Sequence, residues 1–269
     1  MNVDWPMVWV IMGRDLRAVR RSKAVLLPMI MVPVLLLVVV PFFINLAAVA
    51  RTNFDITDIL HKLPGGLADP ILRRPPREQL IVLISVYLLA PLFLIVPMMV
   101  SAVLAADTFA GEKDRRTLET LLHLPVGDRE LMIGKVLAAL TPSIGVSWIG
   151  FACYVAVVNG VDWQVTHRMI VPTGQWLVVI FWVGPAVAVL GLGVMVRVSA
   201  RARSSQEANQ LGGAVVLPLI FLAVGQSTGL LLVTVPTALL VGLLIWVVGL
   251  FVLVRGARKF SRNALAAKI

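Results

Sequence analysis

Residues 106–135 read ADTFAGEKDRRTLETLLHLPVGDRELMIGK. Eleven charged side chains fall here: Asp107, Glu112, Lys113, Asp114, Arg115, Arg116, Glu119, Asp128, Arg129, Glu130 and Lys135. The sequence on either side is apolar for tens of residues. Each ionised group placed in hydrocarbon would cost about 2.5–3.5 kcal/mol on insertion scales. The stretch is therefore a water-facing connection between two membrane spans. Leu118, Leu121 and Leu122 stand at i, i+3 and i+4, one stripe of a short helix. Glu112 can pair with Arg115 and Arg116, and Arg115 with Glu119, at helical spacing. Pro125 ends the helix because proline cannot continue the hydrogen-bond ladder. The expectation is an amphipathic helix over 112–124, outside the membrane. Its leucine stripe can lie on lipid headgroups or the protein's own spans, or it can dock a soluble protein.

The same residues resemble the signature of the ABC-2 type transporter permeases, the membrane subunits of a class of ABC exporters. The resemblance rests on Gly111-Glu112-Lys113, Thr117-Leu118-Glu119, Leu121-Leu122, Pro125-Val126 and Gly134-Lys135 at the family's spacings. Arg116 departs from it, since the family usually has glycine before the threonine. The resemblance implies that this segment is a coupling helix contacting a separate ATPase subunit. Its contact residues would be Glu112, Thr117, Leu118, Glu119, Leu121, Leu122 and Pro125. It implies a second permease chain, identical or different, and ATP with magnesium on the partner ATPase.

Composition agrees with a membrane protein. Of 269 residues, 59% are hydrophobic and 14% charged, against about 45–50% apolar and about 25% charged in soluble domains. The formal charge of +10 could suggest nucleic acid. The basic residues sit at span ends, however, which the positive-inside rule explains and nucleic-acid binding does not. The single cysteine, Cys153, can form no intrachain disulfide.

The fold class expected is an all-α integral membrane protein with six transmembrane helices. Residues 1–23 form an interfacial helix, with Trp5, Val8, Trp9 and Met12 on an apolar side and Arg14, Arg17, Arg20, Arg21 and Lys23 on a basic one. The six-span domain covers 24–254, with spans near 24–50, 80–106, 131–158, 172–197, 209–226 and 237–254. The first run is too long for a signal-peptide core. Kinks are expected at Pro28, Pro33, Pro41, Pro91, Pro97 and Pro142. Residues 51–79 and 159–171 read as exterior loops, the first with a short helix over Ile56, Ile59, Leu60 and Leu63, the second carrying Asp162, Trp163, His167 and Arg168. Ala102, Ala106 and Ala110 allow close helix packing. Residues 255–269 are a basic tail.

Six spans put both ends on one side. The N-terminal segment, the 111–126 region, the 197–208 loop and the tail hold most of the Lys and Arg, so that side is the cytoplasm. The expected location is the cell (plasma or inner) membrane.

Several function classes are excluded or disfavoured. No G-x-x-x-x-G-K-[ST] loop is present, so ATP must bind another chain. No cofactor is expected on this chain and no catalytic motif is present, so it is not read as an enzyme. His61 among scattered aspartates lacks the tight spacing of a metal site. The span interiors, as bounded above, carry essentially no acid, base or histidine, which disfavours membrane catalysis and proton-coupled transport. Ser85, Tyr87, Ser143, Ser147, Tyr154 and Gln226 are uncharged polar span residues that either line a path or are satisfied within the helices. The resemblance implies an exporter permease driven by ATP hydrolysis on a partner. The alternative is a membrane scaffold that docks a cytoplasmic partner through the 112–124 helix without transport.

Overall fold

A computed structural model describes residues 3–50, 56, 60, 68–110, 127–199, 207 and 235–258. Every regular element among them is helical. Five helices are long and apolar enough to cross a membrane. They are α2 (Lys23–Ala50), α3 (Pro76–Phe109), α4 (Asp128–Thr166), α5 (Gly174–Ser199) and α6 (Val235–Ala257). They overlap the expected spans near 24–50, 80–106, 131–158, 172–197 and 237–254. The expected span at 209–226, the helix at 112–124 and most of the tail lie outside the described residues. Of the helix expected near 56–63, Ile56 and Leu60 are described, both buried, with the Leu60 N–H donating to the Ile56 carbonyl at 2.9 Å.

A shorter helix, α1 (Trp5–Arg21), precedes them. Asp4 caps it, its carboxylate accepting from the Met7 N–H at 3.4 Å, and Pro6 occupies the first turn, where its missing N–H costs nothing. The chain leaves α1 at Ser22 in extended geometry and turns into α2.

Prolines shape the spans. Wide π turns occupy Leu35–Val39, Leu83–Leu88 and Val179–Val183. Each ends two or three residues before a proline, Pro41, Pro91 and Pro185, whereas a fourth π turn at Ala106–Ala110 precedes no nearby proline. A proline ring would collide with the carbonyl four residues earlier, and widening the preceding turn moves that carbonyl away. Pro142, by contrast, sits inside α4 with no such turn around it.

The helices pack through small residues and one aromatic knot. Phe93, Phe151, Tyr154 and Trp176 meet with ring centroids 5.0–6.4 Å apart and tie α3, α4 and α5 together. A Cβ at Gly191 would stand 2.9 Å from the Met98 carbonyl oxygen, so α5 lies close on α3. A Cβ at Gly193 would stand 2.8 Å from the Leu253 nitrogen, and one at Gly249 3.1 Å from the Leu190 nitrogen. Gly242 faces Trp182 and Gly256 faces Val196 in the same way. Residue numbers rise together along the two helices, so α5 and α6 run parallel.

Two expectations need correction. The third apolar helix does not stop at 158. It continues to Thr166, so residues 159–166 are helix rather than exterior loop. Their polar side chains are satisfied against the fold: Asn159 Oδ1 accepts from the Ile170 N–H at 2.8 Å, and its amide donates to the Val171 carbonyl at 2.6 Å. His167, at φ 48°, then ends the helix in left-handed geometry. At 39 residues, α4 is about 58 Å long, against a hydrocarbon thickness of about 30 Å. The second correction is that helix α3 begins at Pro76, inside what reads as a loop, after a short helix at Asp69–Leu72.

Candidate functional site

The bundle has two polar ends. One carries α1, the end of α3, the start of α4 and the last turns of α5 and α6. Lys135 lies at its centre. The other carries the start of α3 and the end of α4, with Asp162.

At the Lys135 end, α1 lies against the start of α4. Its buried stripe is Val8, Ile11, Met12, Asp15 and Val19, spaced as one helical face. Trp5 and Trp9 point away and are 55% and 61% exposed. The expected apolar side therefore divides: Val8 and Met12 pack on the protein, and the tryptophans face outward. Gly134 permits the approach, since a Cβ there would stand 2.8 Å from Ile11 Cγ2 and 3.2 Å from the Val8 carbonyl oxygen.

Lys135 is 3% exposed. Its ammonium donates to the Thr108 carbonyl at 3.2 Å, lies 3.7 Å from Asp15 Oδ2 and stands 5.7 Å from the Phe109 ring centroid. Asp15, itself 8% exposed, also accepts from Arg14 at 2.8–2.9 Å. An ammonium buried among helices needs an opposite charge and acceptors, and these contacts supply both. The consequence is mechanical. Thr108 and Phe109 are at the end of α3, immediately before residues 111–126, and Lys135 is in the second turn of α4, after them. One side chain joins both flanks of that segment to the N-terminal helix.

Gly134 and Lys135 stand out in the sequence, and the structure gives each a contact. Glu112, Thr117, Leu118, Glu119, Leu121, Leu122 and Pro125 lie outside the described residues. Asp15 escapes sequence reading because it sits in a basic helix. Its signal is positional: it falls on the Val8–Met12–Val19 stripe.

At the other end, Ser85 is the meeting point of three helices. Its hydroxyl lies 2.5 Å from Asn45 Oδ1 and 3.3 Å from Asp162 Oδ2, and the Tyr154 hydroxyl donates to its carbonyl at 2.5 Å. Asn45, Ser85, Tyr154 and Asp162 are each at most 1% exposed. Outside this cluster Glu78 and Arg168 form an ion pair. Of the polar span residues, Ser143 and Ser147 are buried and donate to carbonyls of their own helix, at 2.8 and 2.7 Å. They are satisfied where they stand. Asp162, read as a loop acid, is instead fully buried between helices. Among the described residues no group of His, Cys, Asp and Glu is arranged to hold a metal ion.

A family model described as ABC-2 family transporter protein matches residues 9–238, most of the chain. No curated protein matches it.

Proposed function

The chain belongs to the ABC-2 transporter family, and from that membership we propose that it is the membrane permease of an exporter whose ATP hydrolysis occurs on a separate ATPase subunit. The family match carries the reading, because it spans α1 to the start of α6. A multi-pass membrane protein and a permease subunit of an ABC transporter follow from it directly. Outward transport and the segment that receives the stroke are our inference.

The receiving segment is the 112–124 helix. Leu118, Leu121 and Leu122 fill a groove on the ATPase, Glu112 and Glu119 set its orientation, and Thr117 and Pro125 bound it. Each buried leucine contributes about 1.5–3 kcal/mol. Movement of this helix reaches the bundle at both flanks, where Lys135 ties the end of α3 to α4 and α1. The spans then shift as packed bodies between two arrangements. ATP and magnesium belong to the partner, and a second permease chain completes the transporter.

The Lys135 end is the cytoplasmic one. Arg14, Arg17, Arg20, Arg21, Lys23, Arg129, Lys135, Arg197 and Arg255 are there, against Arg73, Arg74, Arg77 and Arg168 at the other end. The parallel run of α5 and α6 supports a sixth span, because a chain that leaves α5 at one face must cross once within 200–234 to enter α6 at the opposite face.

The test is co-purification of the chain with its genomic neighbours, followed by an ATPase assay in lipid. Wild type retains a soluble ATPase, and Leu118→Asp with Leu122→Asp removes it. An ATPase that stays bound and active in the double variant defeats the coupling reading. Static binding of a partner without nucleotide hydrolysis would instead favour the scaffold.

A further inference from the structure

Among the described residues the Asp162 cluster is short of one positive charge. The Asn45 amide donates to the Pro41 carbonyl at 2.9 Å, which turns its Oδ1 toward Ser85 Oγ, 2.5 Å away. Ser85 has one hydroxyl proton, and the short contact to Asn45 takes it. Asp162 Oδ2, at 3.3 Å from the same hydroxyl, is left without a donor. The Tyr154 proton is already given to the Ser85 carbonyl. Asp162 Oδ1 is buried and has no hydrogen-bond partner. A carboxylate 0% exposed, with no donor and no counter-charge among the described residues, is unfavourable in its ionised form.

The described elements around it do not supply the charge. In α2 the one charged residue is Lys23, at the far end, and in α5 it is Arg197, also at the far end. In α3, Glu78 lies two turns from Ser85 and is engaged by Arg168, while Arg77 is exposed and Tyr87 half-buried. In α4 the titratable neighbour is Tyr154. His167, beyond the helix end, is exposed. Among the described residues no cation contacts Asp162.

We propose that Asp162, with Ser85 and Asn45, binds one unit of positive charge, a proton or a small alkali cation, at the end of the bundle opposite Lys135. Both ligands share the chemistry that the cluster lacks. A proton on Asp162 would donate to Ser85 Oγ, completing a chain from Asp162 through Ser85 and Asn45 to the Pro41 carbonyl. A cation would instead be held by the carboxylate, the Ser85 hydroxyl and the Asn45 carbonyl oxygen. Ser85 stands in the π turn of α3, where the helix ladder is already altered. Occupancy joins α2, α3 and α4, and its loss separates them.

Thermal unfolding of the full-length chain in lipid nanodiscs tests this without any ATPase, so its failure leaves the permease reading untouched. Wild type and Asp162→Asn are compared across pH in choline chloride, and across sodium chloride at fixed alkaline pH. If a proton is bound, wild-type melting falls as pH rises, by about 3–6 °C per tenfold change in hydrogen-ion activity where the site is being emptied. Asp162→Asn lacks that dependence. If sodium is bound, sodium raises the melting temperature of wild type by a similar increment, and not that of Asp162→Asn. Identical pH and sodium profiles for the two proteins overturn the proposal. Should Asp162→Asn fail to fold, Ser85→Ala decides: the dependence must persist with a midpoint moved at least about threefold in ligand activity. An unmoved midpoint overturns the proposal as well.

Discussion

Lys135 and Asp15 are nearly enclosed, 3% and 8% exposed, so removing either one takes an opposite charge from a buried partner, although Asp15 keeps Arg14 at 2.8 Å. Removing one partner of such a pair costs about 3–5 kcal/mol, whereas replacing both by apolar groups of similar size is close to neutral. Asp15→Leu alone should therefore lower stability by up to that amount, Lys135→Met alone by less because Asp15 keeps Arg14, and Lys135→Met with Asp15→Leu should recover most of the loss. Melting temperatures of the four proteins in one detergent measure the coupling. If the double variant is as unstable as the sum of the singles, the contact at 3.7 Å carries no energy. The residues differ in how far they could be read beforehand. Gly134-Lys135 stands out as a motif, and its spacing from Glu112 identifies it. Asp15 and Asp162 do not stand out, because a lone acid carries no periodic signal. Both are placed by the stripe they share with apolar neighbours, Val8–Met12–Asp15–Val19 and Tyr154–Val158–Asp162–Thr166.

Helix pairing in this bundle is decided by glycines more than by large side chains. Hydrocarbon offers no hydrophobic drive for helices to associate, so close backbone approach and dispersion must do it. Gly193→Leu should separate α5 from α6, because even a Cβ there would stand 2.8 Å from the Leu253 backbone. The expected loss is about 1–3 kcal/mol, as for overpacking elsewhere. Gly145→Ala is the contrasting case, since nothing lies within 4 Å of a Cβ at that position. It should gain about 0.5–1 kcal/mol from helix propensity. Melting curves of the two variants should move in opposite directions, and a common direction would mean that local propensity or non-specific loosening dominates. The existence of the helices was legible because runs of some twenty apolar residues admit one reading. Their ends were less so. Residues 159–166 are polar enough to resemble a loop, yet Asn159 and Thr166 bond to the turn at 168–171, so tertiary contacts extend the helix. Prolines were legible as disturbances, but the form was not: near Pro41, Pro91 and Pro185 the helix widens into a π turn, whereas around Pro142 it does not.

Over the whole molecule, the direction of each helix fixes which ends share a face. Thr108 meets Lys135 and Ser85 meets Asp162, so α3 and α4 run antiparallel. Phe151 meets Trp176 while Trp148 meets Phe181, so α4 and α5 are antiparallel too. With α6 parallel to α5, the end of α6 returns to the face where α1 lies on Gly134. The five helices alone would be an odd count and would leave the two ends on opposite faces if each simply alternated. The parallel pair instead brings both ends to one face, which agrees with the sixth span proposed above. Single cysteines in a Cys153→Ser background test this in intact spheroplasts. A membrane-impermeant maleimide should label Arg77→Cys from outside, and should reach Arg20→Cys and Arg255→Cys only after the membrane is opened. All three positions are solvent-exposed in the fold. Labelling of Arg20→Cys and Arg255→Cys from opposite sides would defeat the proposed sixth span. Labelling of both from outside would keep the topology but invert it, placing residues 112–124 where no cytoplasmic ATPase could reach them.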